Sequence, residues 1–159
     1  MLALLGLMGV WPTLTDNLAG RPAAGNFVDQ AAMWHAVRRV VPPDARLLVD
    51  FNRDSAMTVW PANIGWALLA NRASCFAGWG GAATFVRLPV PVLYRWDQAI
   101  VAIFAGKPGA NAALAWPELA RCNFLLWQQQ LPPNLPADWH QAASGAGWRL
   151  YQRKPVPPP

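Results

Sequence analysis

Apolar segments of two kinds alternate along this chain, with prolines, glycines and aspartates between them. Over 29–41 and its approach, Val28, Ala31, Ala32, Val37 and Val40 recur near the helical period. Arg38 and Arg39 fall in the last turn, where cations suit the helix dipole. Pro42-Pro43 stops that helix, because proline has no amide to donate. Residues 46–51, Arg-Leu-Leu-Val-Asp-Phe, are a short apolar run between turn signals and predict a buried strand. A second helix is expected from Pro61 through Ile64, Trp66, Leu68 and Leu69 to Asn71, followed by a short strand at 74–77. The segment up to Trp96 reads as a loop punctuated by Pro89 and Pro91. Asp97 then suits the N-cap of a helix through Ile100, Val101, Ile103 and Phe104, with Gly106 as its stop. Residues 110–121 are helical in composition with a restart at Pro117, and 122–127 predict a third strand. A short helix over 137–143, ending near Gly145, and a half-exposed strand over 148–152 complete the series. This order predicts an α/β fold, a small layered domain with a mostly parallel sheet of about four strands and flanking helices.

The ends of the chain are of a different character. Residues 1–14 carry no charge and read as the last turns of a membrane helix, since a full span needs about 20 apolar residues. A secretory signal would place Lys or Arg ahead of the apolar stretch, and the first basic residue here is Arg21. The expected organisation is therefore a truncated apolar helix at 1–14, a linker at 15–27 and a soluble α/β domain over 28–153. A disordered Pro-rich tail at 154–159 follows it.

Charged residues make up only 13% of the chain, about half the usual share, while ten tryptophans supply amphipathic surface. So little charge leaves some of those rings to face lipid or a partner rather than the core. The net charge of +5 comes almost wholly from scattered arginines, Lys107 and Lys154 being the only lysines. No segment interleaves bases and aromatics as a nucleic-acid module does, so nucleic acid is not an expected partner. The two cysteines, Cys75 and Cys122, fit either a disulfide in an oxidising compartment or a pair of buried thiols. His35 and His140 are far apart in sequence and no CxxC is present, so neither a metal site nor a cofactor is expected.

Chemistry has few places to reside. In an open α/β sheet the default ligand position is the carboxyl end of the first strand, which reads Asp50-Phe-Asn-Arg-Asp54. Asp50, Asn52, Arg53 and Asp54 would suit a polar ligand such as a sugar or a cation, and equally suit turn capping. Gly78-Trp-Gly-Gly81 matches no phosphate-loop spacing. Arg72, Trp79, Arg87 and Tyr94 surround it with Phe85, Arg95 and Trp96, a mixture fitting a bilayer interface, a sugar-stacking platform or plain core anchors. No G-x-S-x-G occurs and neither cysteine has a nearby histidine, so no catalytic residue is assigned.

Five phrases carry a family resemblance: Val41-Pro-Pro-Asp-Ala-Arg-Leu-Leu-Val-Asp50, Leu68-Leu-Ala-Asn-Arg72, the helix-to-turn stretch 99–106, Leu119-Ala-Arg-Cys-Asn-Phe-Leu-Leu-Trp127 and Gly147-Trp-Arg-Leu-Tyr-Gln-Arg153. In layout they resemble the soluble C-terminal domain of polytopic membrane glycosyltransferases of the GT-C type, which use polyprenyl-phosphate sugars. The resemblance implies a bacterial cell-membrane location with this domain on the extracytoplasmic side. It also implies catalytic carboxylates on membrane helices outside this chain, and those helices or the membrane as partners. The expected function is a non-catalytic domain that covers the membrane-embedded site or helps select the acceptor. A free-standing α/β binding or interaction module is the alternative.

Overall fold

A computed structural model describes residues 30–52, 65–78 and 88–154. The first helix, α1 (Ala31–Val40), buries Met33, Trp34 and Val37 along one side, the spacing of a helix packed on a single face. The chain turns at Pro42 and enters strand β1 (Arg46–Leu48). The short helix α2 (Gly65–Leu68) leads to β2 (Ala73–Ser74), and the longer α3 (Val90–Phe104) leads through a 3-10 turn (Ala110–Ala115) to β3 (Phe124–Trp127). Strands β4 (Trp139–Gly145) and β5 (Trp148–Arg153) close the domain. Among the described residues no helix is long and apolar enough to cross a membrane.

The five strands lie in the order β2-β1-β3-β5-β4. β1 pairs in parallel with both β2 and β3, while β5 runs antiparallel to both β3 and β4. The expected α/β class holds, but the sheet is mixed and has five strands rather than a mostly parallel four. The difference lies in 137–143, expected as a helix and found to be the edge strand β4. Gly145 pairs with Trp148 across a two-residue turn, and Gly147 supplies the positive φ of 74° that such a turn demands. A register shift between Gln141 and Ala143 leaves one extra residue in β4, a bulge of the kind common on edge strands.

Alternation along the central strands divides the core in two. Leu47, Val49, Phe124, Leu126 and Leu150 face α1 and α2, where they meet Trp34, Val37 and Ala70. Leu48, Leu125 and Trp127 face α3 and the 3-10 turn, where they meet Leu93, Ile100, Phe104 and Leu114. Each fully buried Leu or Phe contributes about 1.5–3 kcal/mol, so these two faces hold the three layers together. α3 starts at Val90, seven residues before the expected N-cap at Asp97. Pro89 and Pro91 are compatible with that start, because the first turn of a helix has amides without intrahelical partners. Trp96 of α3 meets Phe76 just after β2, and Phe104 at the far end of α3 stacks on Trp127 of β3. α3 therefore runs across the sheet and ties its edge to its centre.

Cys75, just past β2, is joined to Cys122, just before β3, with Cα atoms 5.9 Å apart. Of the two readings open to the cysteines, the bridged one is realised. It links the two strands that flank β1. The expected membrane-helix remnant at 1–14, the linker and nearly all of the Pro-rich tail lie outside the described residues.

Candidate functional site

The order β2-β1-β3 has a functional consequence. The chain leaves β1 through α2 on one face to reach β2, then returns through α3 on the other face to reach β3 on the opposite side of β1. In open α/β sheets such a reversal of direction marks the usual ligand position, at the carboxyl ends of the strands, here those of β1 and β3. Asp50 and Asn52 leave β1 there, and Gln128 leaves β3.

At the β1 end, the Asn52 amide donates to Asp50 Oδ1 at 3.2 Å, an Asx turn that shapes the chain as it leaves the strand. Arg53 and Asp54 lie outside the described residues, as do Trp79 and Arg87. Arg72 is not at this end of the sheet. It precedes β2 at the amino end, where its guanidinium donates to the carbonyls of Val41 at 2.6 Å, Asn71 at 2.8 Å, Ala70 at 3.3 Å and Arg38. These carbonyls include the last ones of α1, which have no intrahelical donor and carry the negative end of the helix dipole. Arg72 thus clamps the C-terminus of α1 to the turn after α2. Tyr94 projects from the outer side of α3, 58% exposed. It borders a shallow trough in which Arg95 lies over the Trp116 ring at 4.7 Å and bonds Glu118 at 3.1 Å. Of the described candidates, only Asp50 and Asn52 lie at the carboxyl end of β1.

The residues leaving β3 were not signalled as a site by any motif, yet they border two clefts of more than 600 Å³ each. Gln128 faces the α1 side, in a cleft of about 640 Å³ between α1 and the β4–β5 hairpin. Gln129 and Gln130 face a second of about 620 Å³, beneath the end of α3 and the loop to Asn134. Trp127 Nε1 donates to the Leu131 carbonyl at 2.6 Å and Arg149 to those of Gln129 and Gln130, so this loop is held from both sides. Gln128 is only 9% exposed and is the one buried polar side chain of the described core. Three successive glutamines directly after a fully apolar strand were the available sequence signal. Their meaning depends on a hairpin twenty residues further on.

No curated protein and no solved structure matches the chain. A family model does match residues 23–135, well over half of the chain, and covers α1, the parallel strands and the crossovers between them. The chain belongs to the family of Y4nK C-terminal Rossmann-like domains.

Proposed function

We propose that this chain is a non-catalytic, extracytoplasmic domain of a membrane glycosyltransferase that uses a lipid-linked sugar. Its role in that reading is to cover the membrane-embedded site or to help select the acceptor. The observation that carries the proposal is the Cys75–Cys122 bridge. Disulfides persist in oxidising compartments such as the bacterial periplasm, whereas cytosolic thiols are kept reduced. The family description, a C-terminal domain, suits a unit that follows other parts of a larger protein. A charged fraction of 13% and ten tryptophans suit a surface lying near lipid headgroups. Its partners would be the membrane helices of the same enzyme, with a polyprenyl-phosphate sugar as the common substrate.

The test is transfer from a radiolabelled polyprenyl-phosphate sugar, assayed with the purified chain and with membranes of the native host. Transfer by the membranes and none by the chain is expected. Turnover by the purified chain would overturn the non-catalytic assignment. A free-standing binding module is the second reading, and the cleft beside α1 favours it. It predicts a soluble native product of 17.4 kDa rather than a larger membrane-bound one.

A further inference from the structure

Cations that are scattered in sequence gather at one edge of the fold. Arg46 opens β1, and its register partner is Ala73 at the start of β2. On its other side the Asn123 amide donates to the Arg46 carbonyl at 3.2 Å, and Asn123 Oδ1 accepts the Arg46 amide at 3.1 Å. Arg121 shortly precedes Asn123 in the chain. The Arg153 amide donates to the Asn123 carbonyl at 2.8 Å, which brings Lys154 to the same edge. Arg72, bonded to the carbonyls of Arg38 and Val41, holds the end of α1 there with Arg38 and Arg39. Strand spacings of about 4.8 Å separate neighbours along this row.

Arg38, Arg39, Arg46, Arg121 and Lys154 are all exposed, and none of these side chains has an ion-pair or hydrogen-bond partner among the described residues. Two carboxylates share the edge. Asp138 is taken up by Arg153 at 2.6 Å, and Asp44 lies exposed in the turn between α1 and β1. Five unpaired cations against Asp44 place most of the net charge of +5 on one side of the molecule. At a screening length of about 8 Å, neighbours in such a row repel one another. An anionic surface turns that repulsion into attraction.

The chain between Arg39 and Arg46 separates a bilayer from other polyanions. Val40 is 37% exposed, and Pro42 and Pro43 stand exposed at the following turn. An apolar tip among cations suits a lipid interface, where phosphates meet the cations and the acyl boundary takes the tip. A phosphodiester backbone or an acidic peptide gives that tip nothing. We propose that this edge, the amino ends of β1, β2 and β3 with the end of α1, is a docking surface for an anionic phospholipid bilayer. The choice of a bilayer rests on the membrane reading above, while the basic edge itself does not.

The experiment is co-sedimentation of the full 159-residue chain with vesicles of phosphatidylcholine alone and of equal parts phosphatidylcholine and phosphatidylglycerol. Comparing the two isolates the charge contribution, because apolar insertion of any other segment acts on both alike. Tighter binding to the anionic vesicles is expected, and salt near 1 M, which shortens screening to about 3 Å, should abolish the difference. Each cation lost should weaken anionic binding about fivefold, or about 1 kcal/mol. Arg38→Gln, Arg39→Gln and Arg46→Gln together should therefore cost about a hundredfold, while the same three changed to Lys should bind nearly as the native chain does. Lys107→Gln, beyond the far end of α3, should change little. The proposal is overturned if the two vesicles bind equally, if the triple Lys chain loses binding as the triple Gln chain does, or if a DNA duplex or polyglutamate is held while anionic vesicles are not. Equal binding to both vesicles by a chain shown to be extracytoplasmic would discard this edge and keep the reading above. Salt-sensitive anionic binding by a chain that proves cytoplasmic would keep the edge and discard that reading.

Discussion

Breaking the Cys75–Cys122 bridge should remove a large part of the stability of this domain. The bridge spans 47 residues of sequence, from the end of β2 to the start of β3. Loop-closure entropy for that length is about 14 cal/mol/K, or about 4 kcal/mol at 25 °C. Typical domains hold about 5–15 kcal/mol in total, so a loss of this size leaves the fold marginal. Reduction of the wild-type chain isolates the entropic part, since both sulfurs stay in the core. Cys75→Ala with Cys122→Ala removes the sulfurs as well, and Cys122 is fully buried, so a further loss of about 1 kcal/mol is expected. Urea unfolding followed by tryptophan fluorescence, with and without reductant, measures both. With a slope of about 2 kcal/mol/M the midpoint should fall by about 2 M on reduction. A loss below about 1 kcal/mol, or two thiols titrating in the denatured unreduced protein, would refute the reasoning.

Other consequences are local. Arg72→Ala should destabilise the domain by about 2–4 kcal/mol in the same assay, because it leaves the end of α1 without its donors. Arg72→Lys should recover little of this, since an ammonium lacks the planar fork that reaches several carbonyls at once. Gly65→Ala should cost about 1–3 kcal/mol, because a Cβ at that position would lie 2.7 Å from the Trp34 indole, which is locked in the core. Calorimetric Tm values of the glycine variant and of both arginine variants check these magnitudes.

Much of the layered fold was legible because its central elements bury apolar side chains at a clear period. α1, β1, β3 and β5 each carry that signal, and the prolines after α1 mark its end. β4 was not legible. It is an edge strand with a mostly exposed Trp-His-Gln-Ala-Ala-Ser-Gly sequence, whose alanines suit a helix as well, and pairing with β5 overrides that local preference. The start of α3 was hidden by Pro89 and Pro91, which break helix interiors but not first turns. The parallel course of β1 beside its neighbours was legible because the order of elements implies it. The cleft beside Gln128 was not legible, because its opposite wall comes from α1 and the hairpin, brought together only by the tertiary fold. Arg72 looked like a surface cation among aromatics. Its role depends on two helix ends that converge only in the folded chain.

The central claim is that this domain works on the extracytoplasmic side of a membrane. It is tested most directly by trapping its cysteines in living cells of the native host. Cells are treated with a membrane-impermeant maleimide before and after an impermeant reductant, and the mass of the protein is read by immunoblot. The account predicts no labelling before reduction and labelling of Cys75 and Cys122 after it. Thiols that are free in the cell and react only with a permeant reagent would contradict it.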